Sequence, residues 1–222
     1  MVRCFIFDLD GVITDTAIHH FRAWKQIADK LNVNFTEEDN LKLKGVGREK
    51  CLKIILESAQ LEISDRYFTE LCDLKNQIYQ KLIAQLSQKS ILPGVVEKIK
   101  LLKKHSLKIA VASSSKNARM ILNKIELTEF FDVIIDGNQI QNPKPNPEIF
   151  SKASLAVDVS PSECLVFEDA EAGIEAAVRA GMKTIGIGTK GNQFYSADYS
   201  FENFSQIPDD LIIDLIHSDI CQ

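Results

Sequence analysis

Two aspartates and a glycine follow a short apolar run near the start of the chain, in the stretch CFIFDLDGVITDT from Cys4 to Thr16. The apolar run predicts a buried strand that places the carboxylates at its C-terminal end. Side chains two residues apart on a strand share a face, so Asp8 and Asp10 can address one site, the first as nucleophile and the second as acid or base. A divalent cation would relieve the repulsion between the two carboxylates. In the alternative, Asp10 only forms a turn before Gly11.

Three further groups of polar residues follow predicted strands. The first group is a loop that leaves an apolar strand and enters a helix, and it consists of Ser113, Ser114, Ser115, Lys116 and Asn117. Such a loop can bind an anion, or its serines can simply cap the helix. Lys144 lies between prolines in NPKPNP, and Glu168 and Asp169 end another apolar strand. In the alternative interpretation, Lys144 is an ordinary solvated loop residue, and Glu168 and Asp169 only cap the helix that follows. Because parallel strands end at one edge of a sheet, the four groups predict an active site there.

The apolar pattern predicts an α/β protein whose alternation is interrupted by a helical segment. From Thr16 to about Ser87, apolar residues recur at three- and four-residue steps, which predicts amphipathic helices packed as a small bundle. After Ile91 the chain alternates between helices and apolar strands, and the strands are predicted at 107–112, 133–135, 164–167 and 184–187. We therefore predict a doubly wound, Rossmann-like parallel sheet of at least five strands. The predicted core comprises residues 1–15 and 89–222, and the predicted insertion comprises residues 16–88.

Composition and charge limit the kinds of partner. The chain has 222 residues, of which 45% are hydrophobic and 26% charged, as in an ordinary globular protein. A formal net charge of -5 and the lack of a strongly basic run disfavour nucleic acid. No apolar run approaches the roughly 18 residues of a membrane span, and no signal peptide is indicated, so we expect a cytoplasmic protein. The five cysteines form no CxxC pair and are expected to be reduced. A monomer is the default expectation, since no pattern fixes the oligomeric state.

Four segments together resemble the motifs of the haloacid dehalogenase superfamily: FDLDGVITDT, VASSSKN, NPKP and VFEDAEAGI. They occur in the order and spacing typical of that superfamily, over residues 1 to about 190, and the helical insertion resembles its C1-type cap. Three further segments resemble a branch of hexose-phosphate mutases: DGVITDTAIHHFRAW, the cap loop KGVGR from Lys44 to Arg48, and the pair Lys75–Asn76. The resemblance implies the expected fold and a phosphoryl-transfer activity.

The resemblance also implies roles for the core residues. Asp8 would attack a phosphoryl group and carry it as an aspartyl-phosphate, while Asp10 would donate and accept the proton of a sugar hydroxyl. Mg²⁺ would be held by Asp8, the backbone carbonyl of Asp10 and Asp169, with Glu168 close by or acting through water. The oxygens of the transferring phosphoryl group would be held by Ser113 and Lys144.

A second set of residues is implied in substrate binding. In the cap these are His20, Trp24, Gly45, Arg48 and Lys75, and in the core loop they are Ser114, Ser115, Lys116 and Asn117. Arg48 and the core loop would bind the phosphate that does not react, and Lys75 would act with His20 and Asp15 in coupling cap closure to Asp10. From the pattern alone, Trp24 is a packing residue, and a lone lysine such as Lys75 snorkels to solvent.

The implied function is a Mg²⁺-dependent interconversion of β-D-glucose 1-phosphate and glucose 6-phosphate. The reaction would pass through an aspartyl-phosphate and β-glucose 1,6-bisphosphate, which also primes the enzyme, so small-molecule sugar phosphates are the expected partners. One alternative is a sugar-phosphate phosphatase of the same superfamily, because it would use the same Asp8 chemistry. A non-catalytic regulator that binds sugar phosphates is an alternative of another class. Cys51 stands where the family commonly has a serine near the sugar, so the exact sugar stays open.

Overall fold

The structure, a computed structural model, describes residues 1–43, 45–188 and 196–217. Lys44 of the predicted cap loop and Cys221 lie outside the described residues. The chain divides into two compact units: Met1–Asp15 with Ser87–Gln222, here called the core unit, and Thr16–Leu86, here called the cap unit. The cap unit is thus a single continuous insertion between two segments of the core unit.

A six-stranded sheet forms the centre of the core unit. Its strands are β1 (Cys4–Phe7), β2 (Lys108–Ala112), β3 (Val133–Ile135), β4 (Cys164–Glu168), β5 (Lys183–Ile187) and β6 (Tyr199–Phe201). All neighbouring strands are parallel, in the order β3-β2-β1-β4-β5-β6. The predicted doubly wound parallel sheet is therefore confirmed. The edge strand β6 was not predicted, because its three residues, YSF, are mostly exposed and carry no continuous apolar run.

The central strand β1 is buried on both of its faces. All four of its residues, CFIF, are 0% exposed. Cys4 and Ile6 belong to an aliphatic cluster on one face, whereas Phe5 and Phe7 lie among aromatic rings on the other, with the ring centres of Phe7 and Phe167 4.7 Å apart. A parallel strand covered on both faces is continuously apolar, and this explains why the run in the sequence does not alternate.

The cap unit contains α1 (Ala17–Lys30), α2 (Glu37–Leu41), α3 (Arg48–Ser58) and α4 (Asp65–Ile83). The apolar stripes of α1, α3 and α4 meet in one cluster that includes Trp24, Leu52, Ile55 and Leu71. The five-residue helix α2 is too short to show periodicity in the sequence. It is fixed instead by a capping box, in which the Thr36 hydroxyl accepts from the Asp39 N–H and the Asp39 carboxylate accepts from the Thr36 N–H.

The core unit contains α5 (Val95–Lys104), α6 (Ala118–Lys124), α7 (Glu148–Ala156), α8 (Glu171–Arg179) and α9 (Asp209–His217). Helices α7 and α8 pack on the aliphatic face of the sheet through Ile149, Phe150, Ala176 and Ala177. No helix among the described residues is long and apolar enough to span a membrane. The sheet and its helices fix the C-terminal ends of β1, β2 and β4, where the candidate site residues follow.

Candidate active site

Lys144 and two carboxylates form a buried cluster at the C-terminal edge of the sheet. Asp8 directly follows β1 and is 6% exposed, while Glu168 ends β4. The Lys144 ammonium donates to Asp8 Oδ1 at 2.6 Å and also to Glu168 Oε1. It lies 3.4 Å from the Ala112 carbonyl oxygen and 4.9 Å from the centre of the Phe150 ring. Lys144 is only 4% exposed, so it is an internal charge and not the solvated loop lysine of the alternative interpretation.

Three carboxylates are close enough to share a cation. One oxygen each from Asp8, Glu168 and Asp169 lies within 4.8 Å of the others. An all-oxygen donor set suits a hard divalent cation such as Mg²⁺. Gly11 makes room for this set: it has φ +82°, and a Cβ added there would lie 1.9 Å from Asp169 Oδ2. The residues present therefore fit a Mg²⁺ site.

The carboxylate of Glu168 is oriented by its own loop. Its Oε2 accepts from the backbone N–H of Asp169 at 2.8 Å and of Ala170 at 3.0 Å, and its Oε1 faces Lys144. A Cβ at Gly173, in the first turn of α8, would lie 1.9 Å from Glu168 Oε1. Glu168 thus holds the turn before α8 and also faces the buried ammonium, but α8 has no side-chain cap. Its role at a metal site stays a prediction.

Burial and like charges shape the ionisation of this cluster. Burial raises the pKa of the Asp8 carboxyl well above its ordinary range, the charge of Lys144 opposes this, and the acids Glu168, Asp10 and Asp169 raise it further. Burial alone would lower the pKa of the Lys144 ammonium, but the charges and hydrogen bonds of Asp8 and Glu168 raise it above its ordinary value. Lys144 is therefore cationic, and the carboxylates around it outnumber it. The crowding of acids that raises the pKa of Asp8 is the electrostatic reason to expect a further cation here, because a divalent cation would favour the ionised carboxylate.

Asp10 lies in the turn that follows β1. Its backbone N–H donates to Asp8 Oδ2 at 3.0 Å, so the Asp8 carboxylate is an acceptor within this turn. Asp10 itself is half-buried. The turn orients the second carboxylate oxygen of Asp8, while the first faces Lys144. The acid-base role of Asp10 stays a prediction.

The serine loop follows β2, the strand beside β1. Ser113 is 1% exposed and its hydroxyl accepts from the Ser115 N–H at 3.1 Å, while the Ser115 hydroxyl accepts from the Asn117 N–H at 3.2 Å. Helix α6 begins after Asn117 without a side-chain cap. The hydroxyl oxygen of Ser114 is buried and has no hydrogen-bond partner within the part of the chain that the structure describes. Lys116, at the loop's outer side, is exposed. The serines therefore fold the loop, and they do not cap the helix as the alternative interpretation had it.

A second loop supports the first. The Gly137 N–H donates to the Ser115 carbonyl at 3.2 Å, and the Asn138 side chain donates to the Lys116 carbonyl at 3.1 Å. A Cβ at Gly137 would lie 2.3 Å from the Ser114 carbonyl oxygen, so a glycine is needed for this approach. The sequence contains no signal for this support, because it depends on two segments that follow different strands.

In the cap unit, three of the predicted residues meet around a buried ammonium. Lys75, on α4, is 3% exposed, and its Nζ lies 2.9 Å from His20 Nδ1. The same Nζ lies 4.9 Å from the centre of the Trp24 ring and 4.6 Å from that of Tyr79. Burial, followed by the charge of Lys75, holds the pKa of His20 well below its ordinary value of 6.5. The snorkelling lysine expected from the pattern alone is therefore wrong, whereas the packing expected of Trp24, which is 1% exposed, is observed.

The remaining predicted cap residues lie at the start of α3. Arg48 is the first residue of that helix and donates to the Asn76 side-chain oxygen at 2.9 Å. Gly45 has φ +71°, a conformation that favours glycine. The Cys51 thiol is 3% exposed and donates to the Val46 carbonyl at 3.3 Å, so it is occupied in holding the loop before α3. The substrate-binding roles of these residues stay predictions.

The comparisons with known proteins agree with this geometry. The model of the family described as haloacid dehalogenase-like hydrolase matches residues 5–187, and the chain belongs to this family of enzymes. The resemblance drawn from the motifs is thereby confirmed. The chain is 40% identical over 220 residues to the β-phosphoglucomutase of Bacillus subtilis, covering 98% of this chain and 95% of that protein.

Two further relatives bear on the kind of reaction. The crystal structure of a β-phosphoglucomutase from Clostridium difficile superposes with a TM-score of 0.92 at 35% identity, covering 97% of both chains. A phosphorylated carbohydrates phosphatase of Thermotoga maritima is 31% identical over 187 residues, which is 83% of this chain and 84% of that protein. The fold and the family are thus shared by a mutase and a phosphatase.

Proposed function

We propose that this chain is a Mg²⁺-dependent mutase that interconverts β-D-glucose 1-phosphate and glucose 6-phosphate. The observation that carries the proposal is Asp8, placed at the end of the central strand, 2.6 Å from Lys144 and within 4.8 Å of two further carboxylates. The similarity to the β-phosphoglucomutase of Bacillus subtilis, along 98% of the chain, supports a sugar phosphate as the substrate. In this proposal residues 1–15 and 89–222 form the catalytic core, and residues 16–88 form its cap.

In the first step, a carboxylate oxygen of Asp8 attacks the phosphorus atom, and the bond from phosphorus to the donor's oxygen breaks. Asp10 gives its proton to that leaving oxygen, and takes a proton from a sugar hydroxyl when the phosphoryl group is transferred onward. Lys144 and the Ser113 hydroxyl hold the phosphoryl oxygens. Asp8, the Asp10 carbonyl and Asp169 would hold Mg²⁺, with Glu168 nearby, and the cation would supply positive charge where the anionic carboxylate of Asp8 approaches the phosphoryl group.

The second phosphate of the bisphosphate intermediate needs a binding site of its own. We assign it to Arg48 together with Ser115, Lys116 and Asn117, while Ser114, Gly45, His20, Trp24 and Lys75 complete the substrate-binding set. A guanidinium binds phosphate through two parallel hydrogen bonds, so a lysine at Arg48 would keep the charge but lose this geometry. Because β-glucose 1,6-bisphosphate carries a phosphate at each end, either end can be offered to Asp8. Phosphate binding by Arg48 would drive the exclusion of water that protects the aspartyl-phosphate.

A sugar-phosphate phosphatase is the second candidate, and the phosphatase relative in Thermotoga maritima favours it. Both reactions would use Asp8 and Mg²⁺, and they differ only in whether a sugar hydroxyl or water accepts the phosphoryl group. A non-catalytic regulator has less support, because Asp8, Asp10 and Asp169 are all present and the chain belongs to a family of enzymes.

The deciding experiment supplies purified protein with Mg²⁺, β-glucose 1-phosphate and a trace of β-glucose 1,6-bisphosphate. Glucose 6-phosphate and free phosphate are then measured together in the same sample. Glucose 6-phosphate that forms far faster than free phosphate supports the mutase. Free phosphate as the main product would make the protein a phosphatase, and the absence of both products would overturn the proposed substrate.

A further inference from the structure

The carboxylate of Glu148, the first residue of α7, closes the base of the loop that carries Lys144. Its Oε2 accepts from the Asn142 backbone N–H at 2.8 Å and from the Asn142 side chain at 3.0 Å. The Gln141 N–H lies 3.1 Å from Oε1 and 3.2 Å from Oε2. Gln141 and Asn142 precede Lys144 in the chain, whereas Glu148 follows it. One side chain therefore joins the two ends of the loop 141–148.

Further bonds stabilise the loop 141–148, both between its own residues and between Glu148 and the helix that follows. Within it, the Asn146 N–H donates to the Pro143 carbonyl at 3.0 Å, and the Glu148 N–H donates to the Asn146 side chain at 3.0 Å. Outside it, the Lys152 ammonium lies 2.7 Å from Glu148 Oε1. The loop thus has few ways to move that would not break a bond to Glu148.

The bonds at the loop base are made by a charged acceptor. Hydrogen bonds from Lys152, followed by those from the N–H groups of Asn142 and Gln141, lower the pKa of Glu148 to about 2. A carboxylate that stays ionised makes N–H bonds about twice as strong as those of a neutral oxygen. The loop base is therefore closed by charge-assisted bonds to a carboxylate whose side chain is 17% exposed, while Lys144 is buried.

We propose that Glu148 is a positioning residue that fixes the reach of Lys144 to Asp8. The inference rests on the proposed function, because it takes from there the role of Lys144 beside the phosphoryl group. Glu148 itself contacts no reacting group: its carboxylate faces loop N–H groups and Lys152, not Asp8. Its effect is therefore expected in the rate of phosphoryl transfer and in the accessibility of Lys144, and not in the binding of substrate.

The kinetic test uses Glu148→Gln, which keeps the size of the side chain but loses its charge, and Glu148→Asp, which keeps the charge. We expect Glu148→Gln to lower kcat on the order of 10- to 100-fold with KM within about twofold, since small displacements of a catalytic group cost this much. Glu148→Asp should restore part of the loss. Glu70→Gln is the control, because Glu70 is also paired with a basic residue one helical turn away, at 3.0 Å from Arg66, but is more exposed and lies outside the loop, so the change should leave kcat unchanged.

A second measurement follows Lys144 directly and requires no activity. Reductive methylation with formaldehyde and a borane, read residue by residue by mass spectrometry, reports how often each lysine reaches solvent. In Glu148→Gln, methylation of Lys144 should become about tenfold faster, as expected for a local opening. Lys98 is the internal control, since it is 6% exposed in the same unit and is paired with Asp209, away from the loop.

The two measurements separate this inference from the proposed function. Unchanged methylation of Lys144 in Glu148→Gln overturns the positioning role, as does an equal rise at Lys98, which would mean general destabilisation. A fall in kcat that Glu148→Asp does not relieve, or an equal rise in KM, also counts against it. If the wild-type protein transfers no phosphoryl group from sugar phosphates, the proposed function fails, and the methylation of Lys144 still decides whether Glu148 positions it.

Discussion

The core unit and the cap unit each bury a lysine, and the two lysines have different neighbours. Lys144 in the core is 4% exposed and donates to two carboxylates, those of Asp8 and Glu168. Lys75 in the cap is 3% exposed and lies against aromatic rings and the nitrogen of His20. The fold thus uses opposite charge to stabilise one buried ammonium and ring quadrupoles with an imidazole nitrogen to help stabilise the other.

The difference determines what each lysine does to its neighbours. In the core, the ammonium compensates the carboxylates of Asp8 and Glu168, which the proposed function uses in their ionised form. In the cap, the charge of Lys75 disfavours a second positive charge, so it lowers the pKa of His20 and favours the neutral imidazole. Removal of Lys144 leaves buried carboxylates without their cationic partner, whereas removal of Lys75 leaves a neutral imidazole and aromatic rings behind.

The largest expected effect comes from making the same substitution at both lysines. Lys144→Met should lower the free energy of unfolding by about 3–5 kcal/mol, because it leaves buried carboxylates without their partner. Lys75→Met should cost about 1–2 kcal/mol, since it loses the cation–π contacts with Trp24 and Tyr79 and the contact with His20 but gains apolar packing. Urea unfolding at pH 8 without Mg²⁺ measures both values. Equal losses at the two positions would show that the carboxylates are not what distinguishes them.

The next effect concerns Mg²⁺, which should stabilise the core through its carboxylates. At a free concentration 100 times its Kd, the cation should raise the free energy of unfolding by about 2.7 kcal/mol. Asp169→Asn should lose most of this gain, because it removes a charged ligand, while Lys75→Met should keep it. Unfolding curves in Mg²⁺ and in EDTA provide the measurement. A Mg²⁺ response that survives Asp169→Asn would place the cation elsewhere.

A smaller change in the free energy of unfolding is expected from the titration of His20 in the cap unit. The folded protein holds the pKa of His20 well below 6.5, so below that pH the unfolded chain binds a proton that the folded protein does not. Stability should therefore fall as the pH is lowered from about 6.5, by at most about 1.4 kcal/mol per unit. His20→Gln should remove this component, as seen in the difference between variant and wild-type unfolding energies from pH 7 to pH 5.5. A pH-independent difference would contradict it.

The smallest change in the free energy of unfolding should come from the partly exposed carboxylate of Glu148. Its pKa is lowered from 4.5 to about 2 on folding, so its stabilising contribution is present above 4.5 and lost as the pH falls toward 2. The wild type should be more stable than Glu148→Gln at pH 6, and the difference should shrink as the pH decreases to 2. Acid unfolding followed by circular dichroism measures it. A difference that grows on acidification would reverse the assigned sign.

Local patterns in the sequence predicted the sheet and the place of the candidate site. The run CFIF is continuously apolar because β1 is covered on both faces, and the acids after it had to lie at the sheet edge. The burial of Lys144 could not be predicted, because NPKPNP describes a stiff loop but not the carboxylates that face it. The sequence drew more attention to Lys75, because a charged residue beside the apolar stripe of a helix is unusual.

Other features depend on contacts between segments that are distant in the sequence. The sequence around Gly173 predicts an amphipathic helix and gives no reason for a glycine there. The reason is visible only in the structure, where a Cβ at Gly173 would collide with the carboxylate of Glu168. Glu148 reads in the sequence as a common acidic residue in a first helical turn, and its bonds to Gln141 and Asn142 are visible only in the folded loop. The roles assigned to the site residues in catalysis and substrate binding stay predictions until they are measured.

The central position of β1 affects how the chain can fold as it leaves the ribosome. Cys4 pairs in register with Lys108 on one side and with Cys164 on the other, so both partners of β1 are synthesised long after it. The cap unit, by contrast, makes its own cluster from the continuous segment Thr16–Leu86. Contacts between distant residues form slowly because a long loop must close first. The strand that ends at the candidate nucleophile therefore lacks its partner strands during synthesis until β2 and β4 have emerged, and an unpaired apolar strand is prone to aggregate in that interval.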